Sequence, residues 1–533
     1  MIPLHVHSNY SLLNGTCRIE DLLEKAKSNS LKTLALTDTN GMYGLIQFAK
    51  TATANGIKPI LGSLIDQPGD ESLYAIFIAR NNEGYQDLCK IITARKLNED
   101  FSLINLLKQP LNDLFILSPS ISILEEIGNR KNVFAELIIT EKNKNKARRL
   151  YSYAREKGIK ITASNPVYFS ERGDFDLHTA VTSIRLNKNI DNLTGDELAD
   201  REYYFKDVSV LKKNYRNVPD AVRNTEFIAE NCYVDLRLNE YKFPHFALQP
   251  GKDAYSFLWE ICFTGLNRRY SPLTETAVNR LKMELQVIKE MNFTEYFLVV
   301  WDIVEEVKRR GMVIIGRGSA ANSIVSYCLG LTEVDPIKYN LYFERFLNKG
   351  RSNPPDIDID FSWKERDEIV KYVFDKYGYE NVAMISTIIT FRARSAFREI
   401  AKAYGLTNDE ISRYSKFIPW TDARNLTSLS EMFPEAKLLN FKIEPWKSIV
   451  DLASRLAGFP RHLSIHPSGI IITPKPITNY TALEYAKNKG LGLIITQPDM
   501  YSIEDLGLIK IDLLSQRSLG VLRDTMEAIS RNS

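Results

Sequence analysis

The sequence predicts a multidomain α/β protein, and three observations lead there. Residues 1–170 alternate short apolar runs with amphipathic stretches, the pattern of βα units. Residues 354–361, Pro-Pro-Asp-Ile-Asp-Ile-Asp-Phe, alternate carboxylates with apolar residues, the period of a β-strand. A later apolar run, residues 507–514, carries one acid, Asp512, with Lys510 on the same face.

In order along the chain, residues 34–38, 57–62, 73–79 and 159–163 are short apolar runs of strand length. Residues 19–28 and 84–94 have the apolar spacing of amphipathic helices between them. Residues 200–250 read as irregular, and Pro219, Pro244 and Pro250 mark a boundary region. Residues 275–311 read as strongly helical, a further helical stretch follows Asp360, and mixed α/β structure is expected from about residue 460. The basic run at residues 142–149 reads as a solvated helix face.

With 533 residues the chain is long enough for several cores. Its 44% hydrophobic and 25% charged content is that of an ordinary globular protein. Cys17, Cys89, Cys232, Cys262 and Cys328 are scattered, with no C-x-x-C pair. This argues against a disulfide framework and a structural zinc site, and for a reducing compartment, so a cytoplasmic location is expected. No apolar run is long enough to span a membrane, and Met1 directly precedes a dense motif, so no cleaved leader and no membrane partner are expected. A net charge of +3 is too small to mark nucleic-acid binding by itself.

Asp356, Asp358 and Asp360 share one strand face, while Ile357 and Ile359 point to the other. Neighbouring same-face positions lie roughly 7 Å apart. Two carboxylates so placed can converge on a pair of divalent cations about 3.5–4 Å apart. An isolated D-x-D is usually a solvated strand face, so the neighbouring segments decide. Residues 313–323 have the form strand, glycine turn, helix, in which Gly316 and Gly318 permit close backbone approach, Arg317 and Ser319 add donors, and the helix start is a natural anion site. Arg345 lies between this turn and the acid strand, where it reaches either a phosphate or a carboxylate. Downstream, Arg394, Arg398 and Lys402 follow i, i+4 spacing on one helical face, a stripe suited to a polyanion. If the strand carrying Asp512 lies beside the acid strand, Asp512 completes a three-carboxylate site of the oxygen-ligand type magnesium takes.

At the N-terminus His5 and His7 stand on strand spacing and Asp38 ends the next strand, the beginnings of a metal site. The segment resembles the polymerase and histidinol phosphatase (PHP) domain through His5, His7, Ser8, Tyr10, Gly15, Leu36-Thr37-Asp38 and Lys58-Pro59-Ile60-Leu61-Gly62; His178 matches a further position. Active members carry a His where Thr39 stands, an acid where Ser63 and Leu64 follow, and an Asp-x-His where this chain has Pro166-Val167-Tyr168. The resemblance therefore implies a vestigial PHP site at His5, His7, Asp38 and His178, in a domain whose role is structural.

Taken in order, Gly316-Arg317-Gly318-Ser319, Phe343-Glu344-Arg345-Phe346-Leu347, Pro355-Asp356-Ile357-Asp358-Ile359-Asp360-Phe361, Arg461-His462-Leu463-Ser464-Ile465-His466 and Leu508-Ile509-Lys510-Ile511-Asp512 closely resemble the core of the C-family bacterial replicative DNA polymerases. The resemblance implies an N-terminal PHP-type (βα) barrel-like domain over 1–230. It implies a nucleotidyltransferase-like palm over 231–388 and 468–533, with an inserted helical thumb over 389–467. It implies Asp356, Asp358 and Asp512 as catalytic acids holding two Mg²⁺ ions, Asp360 as support, and Arg317, Gly318, Ser319, Arg345, Arg394, Arg398 and Lys510 facing phosphates. The implied activity is template-directed transfer of deoxynucleotides to a primer 3′-hydroxyl, with primer-template DNA and dNTP as substrates. Family members continue beyond the third acid with fingers, clamp-binding and oligonucleotide-binding regions. A portion of a longer α subunit is therefore expected, reaching a sliding clamp and other replisome subunits through regions absent here. Two other readings stay open at this stage: a PHP-type phosphoesterase or exonuclease acting through His5, His7 and Asp38, and a non-catalytic DNA-binding scaffold.

Overall fold

The computed structural model describes residues 1–248, 250–348, 350, 355, 357–437, 439–486 and 493–532. The first sheet has β1 (Thr33–Leu36), β2 (Lys58–Gln67), β3 (Asp70–Ala79), β4 (Leu114–Ser118), β5 (Val133–Ile138) and β6 (Lys160–Ser164), in that spatial order. β1–β2, β4–β5 and β5–β6 pair in parallel, while β3 is antiparallel to both of its neighbours. Residues 3–7 bond to both edges. Thr37 N donates to Val6 O at 2.8 Å beside β1, and His7 N donates to Val167 O at 2.9 Å just after β6. The sheet therefore curls until its edges meet across the N-terminal segment, as the barrel-like expectation requires. β4 and β5 are buried along their full length, because helices such as Ile19–Ser28 and Asn82–Leu97 add apolar side chains to the same core.

The second sheet has β7 (Ile314–Arg317), β8 (Asp358–Ser362), β9 (Val382–Thr390), β10 (Pro460–Ile472), β11 (Leu483–Tyr485), β12 (Ile494–Asp499) and β13 (Lys510–Gln516), ordered β11-β12-β9-β10-β13-β8-β7. β13 runs parallel to β8, and β7 antiparallel to it. Ile359, Phe361, Ile511 and Leu513 point into a core shared with the helices Ala254–Arg269, Glu275–Glu290 and Thr294–Arg309. That burial leaves Asp358, Asp360 and Asp512 for the opposite face. Between β9 and β10 the chain builds a third, helical core around Phe397, Ile400, Ile449 and Leu456. Leu177, Ala180 and Val181 from the helix Phe175–Leu186 join it.

Residues 200–250 were expected to be irregular but contain the helices Val208–Asn214 and Pro219–Glu230. Pro219 starts the second of these, where its missing N–H costs nothing and its fixed φ suits the helix, so the proline read as a breaker is an initiator. The five cysteines are free and buried. Among the described residues no helix is long and apolar enough to cross a membrane.

Candidate active site

Three neighbouring strands bring the acids together. Asp358 of β8 is in register with Asp512 of β13 on one side and with Arg317 of β7 on the other. The sequence-predicted juxtaposition of the two acid strands is therefore what the sheet contains. Asp356 lies outside the described residues.

Asp512 is held at both oxygens. Ser468 Oγ donates to Oδ1 at 2.7 Å, and Lys510 Nζ sits 2.8 Å from Oδ2. Ser468 reaches Asp512 because β10 slips register between Ile465 and Ile470, a bulge that re-aims the side chains around it. His466 Nδ1 accepts from Gly469 N at 2.8 Å and fixes the bulge. Burial lowers the His466 pKa, partly opposed by the charge of Asp512, so the ring acts there as a neutral acceptor. Asp360 accepts from Gln516 Nε2 at 3.4 Å, and Arg317 Nε lies 3.5 Å from the same Oδ2. Asp360 thus pairs with Arg317 across the β7–β8 strand pair.

β7 leads into the glycine turn. A side chain at Gly316 would bring Cβ to 1.7 Å from Leu331 O, so only glycine fits this backbone approach. Gly318 has φ +73°, and a Cβ there would lie 3.7 Å from Asp358 Oδ2, which places the turn directly over that acid. The expected helix-start anion site is not what the structure builds. Residues 318–322 form a 3-10 turn, and the helix that follows, Ile324–Leu329, has its N-terminal groups filled internally. Ser323 Oγ caps Ser326 N, and the buried Glu284 accepts from Val325 N at 3.2 Å.

The N-terminal cluster is brought together too, but it is closed on itself. His5 Nε2 and His7 Nε2 are 2.9 Å apart, and His5 Nδ1 lies 2.7 Å from Glu136 Oε1. Glu136 is fully buried and also accepts from Ser164 and Tyr74. Asp38 accepts from Ser8 N, Ser8 Oγ and Ser11 Oγ, and burial pushes its pKa up to about 6. His178 accepts from Ala199 N at Nε2 and bonds Asn14 O through Nδ1, with burial lowering its pKa to about 4. Burial, then the neighbouring His5 and His178, lowers the pKa of His7. Tyr168, standing where the family pattern has a ligand motif, stacks on His7 with ring centroids 4.2 Å apart. Ser63 donates to Asp38 O at 2.7 Å. Sequence reasoning missed Glu136, a lone acid in β5 that belongs to no motif.

Comparison with known proteins gives a consistent result. Residues 256–515 match the family model "Bacterial DNA polymerase III alpha NTPase domain", and residues 3–127 match "PHP domain". An error-prone DNA polymerase of Symbiobacterium thermophilum is 32% identical over 99% of this chain and 52% of its own length. The DNA polymerase III α subunits of Bacillus subtilis and Borreliella burgdorferi are each 32% identical over 99% of this chain and 49% of their own lengths. The chain belongs to the bacterial DNA polymerase III α family. It spans about half the length of the curated relatives it matches.

The acid pair of this chain suits a hard divalent cation. Asp358 and Asp512 offer carboxylate oxygens from adjacent strands, and Asp360 Oδ1 is buried without a hydrogen-bond partner among the described residues. Among those residues no group of three or more His, Cys, Asp or Glu side chains is assembled around one point; Asp356, the expected third acid, is not among them. The remaining candidates fall in two groups. Arg345 is exposed on the short turn Phe343–Arg345 beside the glycine turn. Arg394 is exposed and Arg398 half-buried; their guanidinium groups donate to Ile418 O at 2.6 Å and Ser415 Oγ at 3.1 Å, and Lys402 lies 3.9 Å from Glu399. Arg394 and Arg398 thus also tie the helix Ala393–Ala403 to the segment around Ser415 and Ile418.

Proposed function

We propose that this chain carries the nucleotidyl-transfer site of a DNA-directed DNA polymerase, adding deoxynucleotides to a primer 3′-hydroxyl under template direction. The register pairing of Asp358 with Asp512, under the Gly318 turn, is the observation that supports it most. Asp356, Asp358 and Asp512 would hold two magnesium ions. When bound, magnesium supplies the charge that acidifies the primer hydroxyl and offsets charge on the departing pyrophosphate. The chain's own residues do the positioning. Ser468 fixes the Asp512 carboxylate in one orientation. Lys510 balances Asp512 and puts an ammonium group at the edge where phosphate oxygens arrive. Arg317 and the Gly318-Ser319 turn cover the approach to Asp358, and Arg345 stands on the neighbouring turn to take a further phosphate charge.

In this reading residues 231–388 and 468–533 form the palm, 389–467 the thumb, and 1–230 a PHP domain acting as a brace. The substrates are primer-template DNA and dNTP, with a sliding clamp and other replisome proteins as partners in the cytoplasm. The internal bonding of His5, His7, Asp38 and Glu136 speaks against a phosphoesterase there.

Primer extension with Mg²⁺ tests the reading. Extension by the wild type, lost in Asp358→Asn and in Asp512→Asn, is expected. DNA binding with no extension in any of the three proteins would make the chain a scaffold. Metal-dependent phosphate release lost in His7→Ala, and kept in Asp358→Asn, would move the chemistry to the PHP cluster.

A further inference from the structure

The helix Glu275–Glu290 lies behind the site and carries the ion pair Arg280 Nε to Glu284 Oε1 at 2.6 Å. By sequence it looks like an ordinary surface i, i+4 pair. The Glu284 side chain is instead fully buried and that of Arg280 is 23% exposed. A buried pair is weak support for stability compared with apolar packing, so its geometry must serve something else.

Glu284 Oε2 and Arg280 Nη2 bond the segments beside the acid strands. Glu284 Oε2 accepts from Ser323 Oγ at 2.7 Å and from Val325 N at 3.2 Å. Arg280 Nη2 donates to Asn322 O at 3.3 Å and to Leu341 O at 3.1 Å. Asn322 passes the restraint on, its Nδ2 donating to Ser319 O at 2.9 Å. The Arg280 guanidinium also lies 6.0 Å from the Phe343 ring centre, at the start of the turn that carries Arg345. One guanidinium therefore touches the end of the Gly318–Asn322 turn and the start of the Phe343–Arg345 turn, and these two segments are far apart in sequence.

We infer that Arg280 and Glu284 are positioning residues for nucleotide binding: the pair is a brace that sets Ser319 and Gly318 at a fixed distance from Arg345 around the incoming triphosphate. The inference rests on the polymerase reading above. Neither residue touches the nucleotide. They act by holding two donor-bearing turns in place before it arrives, so that binding does not have to order them.

Arg280→Lys keeps the charge toward Glu284 but has a single ammonium in place of a planar fork, so it cannot occupy both the Nε position that meets Glu284 and the Nη2 position that meets Asn322 O and Leu341 O. Glu284→Gln keeps an acceptor for Ser323 and loses the charge. Arg309→Gln, which removes an exposed guanidinium from Glu306 on the next helix while Arg310 still pairs with that carboxylate, is the control. Each full chain is measured in single-nucleotide incorporation and in amide hydrogen exchange. Arg280→Lys is expected to raise the dNTP KM about tenfold while kcat stays within about threefold. Exchange should quicken in residues 318–323 and 341–345 together, with β8 and β13 unchanged. An unchanged KM in Arg280→Lys, beside a wild type that incorporates nucleotide, overturns the brace and leaves the polymerase reading standing. Exchange that quickens in only one of the turns also overturns it, as does loss of KM, kcat and DNA affinity in parallel with general loosening. A wild type that incorporates no nucleotide sinks the polymerase reading, and the exchange data then decide whether the pair couples the turns.

Discussion

Replacing Lys510 by Met tests the electrostatics of the acid site. The side chains of Lys510 and Asp512 are 17% and 7% exposed, with Nζ 2.8 Å from Oδ2. Methionine keeps most of the apolar stem, so the change removes charge more than packing. Stripping one partner from a fully buried ion pair costs about 3–5 kcal/mol. Here Ser468 still donates to Asp512 Oδ1, and the site edge admits water, so about 2–3 kcal/mol is the expected loss. At roughly 2–4 °C per kcal/mol, the thermal midpoint in EDTA should fall by about 5–10 °C. Magnesium should then do more for the variant than for the wild type, because Oδ2 has lost its ammonium partner. Saturation to about a hundred times Kd adds ~2.7 kcal/mol, enough to offset the loss. Thermal melts of both proteins over a Mg²⁺ titration measure this. The double variant Lys510→Met, Asp512→Asn should show no magnesium response. A Lys510→Met protein as stable as the wild type in EDTA, or equal magnesium shifts in the two, would refute the reasoning.

Three further outcomes are expected. Ser468→Ala frees Asp512 Oδ1 and should weaken Mn²⁺ affinity about tenfold by electron paramagnetic resonance, with little change in DNA binding. Gly316→Ala drives a methyl into Leu331 O and should cost about 1–3 kcal/mol, shifting β7 and lowering dNTP affinity. The third concerns pH. His178 has its folded pKa depressed to about 4, so its contribution is present above its unfolded pKa and is lost as pH falls through the folded value. Asp38 is raised to about 6, so its contribution has the opposite sign, present at low pH and lost as pH rises through that value. In the wild type the two slopes largely cancel between about pH 4 and 6. His178→Gln removes one of them, so its stability penalty in urea unfolding should be smaller by about 2 kcal/mol at about pH 5 than at about pH 7.5. An equal penalty at both pH values would contradict the burial of a neutral ring.

What the sequence revealed follows from how locally each feature is encoded. The period-2 alternation around Asp358 fixes which side chains face outward, and the apolar residues beside Asp512 do the same for β13. Their adjacency is a long-range fact, legible here because the motif order matched a family. The two helices at residues 208–230 were missed because Pro219 was read as a break and it is a first-turn residue. Glu136 and Glu284 were invisible as site residues, since a lone acid gives no hint that it will be buried until its partners His5 or Ser323 are known in space. Arg394 and Arg398 show how spacing gives the face but not the partners: they share a helical face as read, and their guanidinium groups also bond Ile418 O and Ser415 Oγ, which spacing does not foretell.

The most direct measurement is anomalous diffraction at the manganese edge from crystals grown with Mn²⁺, a dideoxy-terminated primer-template and the next dNTP. The account predicts manganese bound between the Asp358 and Asp512 carboxylates, with the triphosphate under the Gly318 turn. Manganese located elsewhere, with those two side chains making no contact to it, would contradict the account.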